Sequence, residues 1–502
     1  MTDRHPKFMR GMFVNGDYLP SASGKTLPVV NPKNGEVFAE VAEGDTVDIN
    51  VAVDSAERAF EKWGGLSGTE RGNLMQRAAD ILQRRLPEIV SLEVDQIGRP
   101  RREMTAQLAR LPEWYSYFGS VARTYEDRVP PFGKDHLNYT RRIPLGVVGH
   151  LTPWNHPLLI LTKKVAPSMA AVNTMVVKPS EYAPITPMIL GEIFREASVP
   201  DGVYNVVPGY GPTAGLALSS HPRIRKVDLT GGTPTGKAVA AMAGKNLIRF
   251  TAELGGKAAL VVFPDIPVDR CVAATLFASF VATGQTCVQG SRLLVHRSIH
   301  DAVVEALVHR TRAIRLGDPQ DLRTQMGPLV SAKQRDMVER YVRIGIEEGA
   351  TVAAGGERPQ GAEFARGYYH LPTVFTNVKS TMRIAQEEIF GPVVCVMPFD
   401  SEDEAIALAN STPFGLASSV WTKDVARAHR VAHQLKCGIV WINDHHRIGP
   451  ASPWGGFKMS GLGHENGIIA YEEYTELQSV IVNLSDAPFD WYADDGREKR
   501  YS

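Results

Sequence analysis

The stretch that decides the fold is Leu145–Pro179, LGVVGHLTPWNHPLLILTKKVAPSMAAVNTMVVKP. Two short apolar runs, Gly146–Leu151 and Thr174–Val177, flank a segment long enough for a helix. Such runs read as strands of a parallel sheet joined by a helical crossover. Working outward, the alternation recurs. Tyr204–Val207, Lys226–Leu229 and Ala258–Phe263 continue a first series of strands, and Arg292–Val295, Val393–Pro398 and Gly438–Asn443 make a second. The pattern predicts an α/β protein with a doubly wound, mostly parallel sheet and a second α/β domain. Upstream, residues 13–41 predict short strands with turns at Asn15-Gly16 and Asn34-Gly35. From Asp48 the period changes. Ile49, Ala52, Val53, Ala56, Ala59, Phe60 and Trp63 fall at three- and four-residue steps, one apolar helix face. Helix continues to about Glu126, broken near Gly98-Arg99-Pro100. Downstream, Tyr474–Asn483 (YTELQSVIVN) reads as a terminal strand that needs a partner, in this chain or in another subunit. Asp486–Ser502 is polar, with Phe489, Trp491, Tyr492 and Tyr501 as its aromatics, and reads as a surface tail.

The chain has 502 residues, which calls for two or three domains rather than one core. Lysine plus arginine equals aspartate plus glutamate at 55 each, so no long-range field draws it to nucleic acid or an anionic membrane. There are four cysteines, Cys271, Cys287, Cys395 and Cys437, with no CxxC. That argues against a disulfide framework or a structural zinc site, and for a reducing, cytoplasmic setting. Met1–Gly16 has no apolar core of a signal peptide, and no apolar run is long enough to span a membrane. No metal site is expected.

Three polar residues stand at strand or turn ends where chemistry is possible. Cys287 follows a Gly-Gln turn in Phe280-Val-Ala-Thr-Gly-Gln-Thr-Cys287. A thiolate is the strongest common nucleophile, and a helix N-terminus would lower its pKa; a free cysteine is otherwise a small core residue. Glu253, in Glu253-Leu-Gly-Gly-Lys257, has little bulk beside it and suits a general base on water, or else a turn or cap. Asn155, in Pro153-Trp-Asn-His-Pro157, suits an oxyanion donor, or else a plain turn.

Together, Cys287 after Gly284-Gln285, Glu253 in ELGGK and Asn155 in TPWN resemble the aldehyde dehydrogenase superfamily, from about residue 13 to 483, in order and with family-like spacing. The resemblance implies a Rossmann-like cofactor domain, a catalytic domain and a small β oligomerisation element. It implies roles too: Cys287 attacks the aldehyde, Asn155 and the Cys287 N–H hold the oxyanion, hydride leaves to NAD, and Glu253 activates water against the thioester. Lys164 and Glu465 match positions that support the base as a proton relay; an inert buried ion pair is the alternative. For the cofactor it implies Thr152, Pro153, Trp154, Lys178, Ser180, Glu181, Gly211, Thr230, Gly231, Gly232, Gly236, Leu254, Gly255, Glu388 and Phe390. Lys178 and Glu181 would take the adenosine ribose, a carboxylate there favouring NAD over NADP, and Thr230–Gly236 the pyrophosphate at a helix N-terminus. Gly232 and Ala282 depart from the family, where Ser and Asn are common.

The substrate end departs most. His156, Lys163, Thr286, His446, Arg447 and Trp454 are the expected substrate residues. A tunnel with Lys163, His446 and Arg447 near its mouth would suit a carboxylate-bearing semialdehyde. If those cations pair with Asp444 or face solvent, an aromatic aldehyde resting on Trp454 is the alternative. Expected boundaries are 1–125 and 145–255 for the NAD-binding domain, 256–470 for the catalytic domain, and 126–144 with 471–495 for the oligomerisation element. Its open strand edges call for a homodimer or homotetramer. Three other classes compete: a CoA-acylating relative, disfavoured by Glu253; a silent structural relative, disfavoured by retention of Cys287, Glu253 and Asn155; and a cofactor-free thiol hydrolase, for which no motif supplies a histidine.

Overall fold

The computed structural model describes residues 11–486, 490–494 and 496. The aromatics Phe489 and Tyr501, the first ten residues and parts of the expected tail lie outside them, whereas Trp491 and Tyr492 are exposed.

Two sheets carry the chain. The first has eight strands in the order Asp17–Leu19, Met12–Val14, Tyr204–Val206, Thr174–Lys178, Val147–Leu151, Lys226–Thr230, Arg249–Glu253 and Gly461–Leu462. Its five central strands are parallel. The chain leaves Val147–Leu151 in one direction and returns on its other side at Lys226–Thr230. This places a topological switch point between these strands, and ligands bind outside the carboxyl ends of strands at such a point. The second sheet has seven strands in the order Thr351–Ala354, Thr373–Thr376, Val393–Phe399, Arg292–His296, Ala259–Val262, Ala417–Trp421 and Ile439–Ile442, parallel apart from the Thr351–Ala354 edge. The Ala258–Phe263 run, expected with the first series, thus lies at the centre of the second sheet. The reason is physical: its apolar residues are buried on both faces, and periodicity does not say which sheet buries them.

Local signals explain the flanking elements. Asn15 and Gly16 both have positive φ, 54° and 78°, which a tight two-residue hairpin turn requires. Helix Thr46–Gly64 starts in a capping box of Asp45 and Asp48 and buries Ile49, Ala52, Val53, Ala56, Ala59 and Trp63. Helix Gly68–Ile97 ends on left-handed Gly98, and Arg99-Pro100 then redirects the chain into helix Arg101–Leu108. Thr475–Asn483 finds its partner within the chain, pairing antiparallel with His136–Pro144 from Thr475–Pro144 to Asn483–His136. This ribbon stands apart from both sheets and exposes Leu137, Leu477 and Ile481.

Candidate active site

The chain passes from the first sheet to the second in five residues, Leu254–Ala258, between strands Arg249–Glu253 and Ala259–Val262. The two glycines here are steric necessities. A Cβ on Gly255 would lie 2.2 Å from Glu388 Oε2, and one on Gly256 would lie 2.3 Å from the Cys287 carbonyl oxygen. The Gly256 N–H donates to Glu388 Oε1 at 2.8 Å. This crossing therefore ties together the candidate base Glu253, the candidate nucleophile Cys287 and the cofactor-binding candidate Glu388.

Cys287 lies in a turn, not at a helix N-terminus. Helix Val268–Phe280 runs toward it with its C-terminal end, so no helix dipole lowers the thiol. Of the four cysteines it alone is partly exposed, and it faces a cavity. Burial, with Glu253 and Glu388 nearby, pushes the thiol up to about 12 against the pull of Lys163. The preceding turn is strained: Ala282 and Thr283 have φ of 56° and 55°, a conformation costing about 1–2 kcal/mol each for such residues. Tethers hold it. Thr283 Oγ1 donates to Gly327 O at 3.1 Å, Gln285 Oε1 accepts from the Val330 N–H at 2.9 Å, and Asn155 Nδ2 donates to Gln285 O at 3.0 Å. The buried Asn155 amide is thus anchored two residues from the nucleophile by one of its two N–H groups.

Glu253 ends its strand buried, and neither carboxyl oxygen has a hydrogen-bond partner. Burial, then repulsion from Glu465, raises its pKa to about 8, against the pull of Lys163 and Lys164. That value suits a general base near neutrality. Beside it lies a compensated ionic cluster. Lys163 Nζ is 2.5 Å from Glu465 Oε2 and 4.5 Å over the Trp454 ring. Lys164 Nζ bonds Glu465 Oε1 at 2.6 Å and also pairs with Asp228. Burial draws the Lys164 ammonium down, but Asp228 and Glu465 outweigh it, so it stays charged.

At the switch point the cofactor candidates converge on two patches. Lys178 is buried, its pKa lowered by burial, with Nζ 3.9 Å from Glu181 Oε2, where Ser180 Oγ also reaches at 3.4 Å. Gly231 and Gly232 lead into helix Thr233–Asn246, whose N-terminus has no side-chain cap, and the buried hydroxyls of Thr152 and Thr230 are unpartnered. Open N–H groups, a lysine–carboxylate pair and orphaned hydroxyls fit a dinucleotide. Trp154 meets Phe390 edge to face at 5.4 Å, and Phe390 adjoins the Glu388 that Gly256 holds. Gly236 packs closely against Leu254: a Cβ there would strike it at 2.6 Å. Gly211 opens a helical turn onto free space.

Residues 18–480 match the Aldehyde dehydrogenase family. The chain belongs to the aldehyde dehydrogenase family. A betaine aldehyde dehydrogenase from Bacillus subtilis (strain 168) is 41% identical over 488 residues, covering 96% of this chain and 99% of that protein. The NAD+ complex of an aldehyde dehydrogenase from Bacillus cereus superposes with a TM-score of 0.93 at 40% identity, over 95% of this chain and 97% of that one. A crystal structure of PnpE with nicotinamide adenine dinucleotide gives 0.94 at 41% identity, over 96% and 99%. This aldehyde dehydrogenase is an NAD-dependent oxidoreductase, with the two-sheet α/β fold of its relatives.

The cavity that Cys287 faces measures about 800 Å³. Glu253, Glu465, Thr286, His156, Lys163, His446, Arg447 and Trp454 line it, as sequence reading expected. The charges differ from that reading. Lys163 is neutralised by Glu465. Burial pushes His446 well below its ordinary pKa, so it is neutral, its Nε2 donating to Ala278 O at 3.2 Å. Arg447 is exposed and holds Asp444 at 3.0 Å. The cations that sequence reading missed lie on helices without motifs. Arg102 and Arg310, both exposed, line the rim and form no salt bridge within 4 Å among the described residues, although Arg102 acts electrostatically on its neighbour Glu103, and Arg99 sits deep in the wall. His156 is neutral as well, its Nδ1 accepting from Arg99 Nη1 at 2.7 Å, which leaves its proton on Nε2.

Two consequences are measurable. Gly256→Ala pushes the Cys287 carbonyl aside; we expect kcat at least tenfold lower in a protein that still folds, and wild-type kcat would contradict the contact. Glu465→Gln removes a charge that raises Glu253. Because the deprotonated base is the active form, kcat/KM rises with pH through the Glu253 pKa, and that limb moves to lower pH in the variant; an unmoved or upward-shifted limb refutes the coupling.

Proposed function

We propose that the enzyme oxidises a carboxylate-bearing aldehyde, a semialdehyde, to the diacid through a thioester on Cys287. The Cys287 sulfur adds to the aldehyde carbon as its proton passes to Glu253. The Asn155 amide and the Cys287 N–H receive the negative oxygen. NAD supplies the hydride acceptor, bound by the Lys178–Glu181 pair, the Thr230–Gly232 turn and Glu388. Once Glu253 has passed that proton on, it draws another from the water that attacks the thioester, and acid and thiol are released. Lys164 and Glu465 keep the pocket's charge balanced and offer Glu253 a way to return its proton.

The observation that carries the substrate class is the pair of arginines outside any salt bridge among the described residues, Arg102 and Arg310, at the rim of a cavity whose deeper cations are already paired. A carboxylate distal to the aldehyde would meet them there. The same cavity argues against a quaternary ammonium substrate such as betaine aldehyde. The Trp454 face that might cradle such a cation already carries Lys163 Nζ. An aromatic aldehyde is the second reading, favoured by Phe277, Phe280 and Ile160 in the wall. The exposed Leu137, Leu477 and Ile481 of the ribbon would be covered in a homodimer or homotetramer.

The test is NADH formation with succinic semialdehyde, butanal, benzaldehyde and betaine aldehyde. Solvated ion pairs contribute about 0.2–1 kcal/mol each, so two give up to roughly thirtyfold in kcat/KM for succinic semialdehyde over butanal. Arg102→Ala/Arg310→Ala should bring the ratio towards one. A wild-type preference for benzaldehyde would overturn the semialdehyde assignment in favour of the aromatic one.

A further inference from the structure

Ala282, Thr283 and Gly284 are left-handed in succession, at φ of 56°, 55° and 68°. Neither an alanine nor a threonine side chain favours this shape, so what the backbone is tied to must impose it. At the entry of the turn the Ala282 N–H donates to Glu103 Oε2 at 3.0 Å. The same oxygen accepts from Arg99 Nη2 at 3.3 Å and Nε at 3.4 Å. The pair is enclosed, with side-chain exposures of 3% for Arg99 and 13% for Glu103. Arg99 Nη1 turns the other way, 2.7 Å from His156 Nδ1 and 3.5 Å from the Asn155 carbonyl oxygen. Gln107, one helical turn beyond Glu103, contributes Oε1 to Arg99 at 3.0 Å and Nε2 to His156 Nδ1 at 3.0 Å.

One enclosed ion pair therefore touches both halves of the chemistry: the loop that ends in Cys287, and the segment that carries Asn155. We infer that Arg99 and Glu103 are positioning residues that fix the nucleophile loop relative to the oxyanion donor. Glu103 gives the buried Ala282 N–H a charged acceptor, which holds the strained turn more strongly than a neutral acceptor would. Arg99 clamps that acceptor to the His156 ring and the Asn155 carbonyl. The rate of thiol addition depends on the distance between the Cys287 sulfur and the place where the carbonyl oxygen is received, and a displacement of about 1 Å can cost a hundredfold. The role holds whichever aldehyde is oxidised.

The test compares Glu103→Ala, Glu103→Gln and Glu103→Ala/Ala282→Gly, with activity expressed per titrated Cys287 thiol. We expect Glu103→Ala to lower kcat at least tenfold while KM stays within twofold. Glu103→Gln, which keeps an oxygen acceptor for the Ala282 N–H, should lose only about threefold. Glycine adopts the left-handed turn without strain, so Ala282→Gly should restore part of the loss in the double variant. Wild-type kcat in a thermally weakened Glu103→Ala protein would mean a purely structural pair, and a raised KM at unchanged kcat would mean a substrate contact; either overturns the assignment. If an unpaired Arg99 prevents folding, Arg99→Met/Glu103→Ala removes both charges together. The same kcat loss is expected there, and wild-type kcat would refute the positioning role.

Discussion

The close approach of Gly256 to the Cys287 carbonyl is the contact on which the rest of the site depends. The crossing Leu254–Ala258 joins the two sheets, so the strand that ends in Glu253 and the strand that begins at Ala259 are held at one fixed separation. A Cβ at Gly256 has no room against Cys287, and one at Gly255 has none against Glu388. Glu253, Cys287 and Glu388, the proposed base, nucleophile and cofactor carboxylate, are thereby located from one backbone segment rather than from three flexible side chains. Functional groups placed on rigid elements hold their geometry better than groups carried on mobile loops. The nucleophile is the exception, since it does lie on a loop, and that loop is accordingly the strained and heavily tethered one.

The electrostatics follow from enclosure. Burial alone would drive each ionisable group to its neutral form. Cys287 obeys, and rests as a thiol. Glu253 half obeys, at about 8, because Glu465 repels it while Lys163 and Lys164 attract it. Lys164 and Asp228 escape neutralisation by pairing with each other, and Lys164 also bonds Glu465. The result is a base whose affinity for a proton lies between that of an ordinary carboxylate and that of the resting thiol. The charge proposed to meet a distant part of the substrate is kept away from this cluster. It stands at the rim, on Arg102 and Arg310, where water screens it and where it does not disturb the balance around Glu253.

How much of this was legible in the sequence depends on whether the signal was local. Most of the parallel strands of both sheets could be read from apolar runs, and ELGGK, TPWN and GQTC from their fixed spacing. What failed was long-range. Of the cations predicted for the substrate end, two sat on one loop, Asp444–Arg447, and the third was Lys163, yet the structure pairs Arg447 with Asp444, buries His446 and pairs Lys163 with Glu465. The rim cations come from Arg102 and Arg310, on helices whose amphipathic pattern looks ordinary. Glu103 and Ala282 are 179 positions apart, and no motif connects them. The expected help from a helix N-terminus at Cys287 failed for a directional reason: a helix precedes that turn, and its C-terminus is the nearer end. Strand Ala417–Trp421 went unseen because two serines interrupt its apolar run, although the sheet buries it on both sides.

The central claim is that Cys287 carries the acyl group and Glu253 directs its hydrolysis. Its most direct test is the intact mass of the Glu253→Gln enzyme mixed with NAD and a reactive aldehyde, followed alongside NADH. The account predicts at most one NADH per subunit, little further turnover, and a mass gain equal to the acyl group that maps to Cys287. Continued turnover at the wild-type rate with no covalent adduct would contradict it.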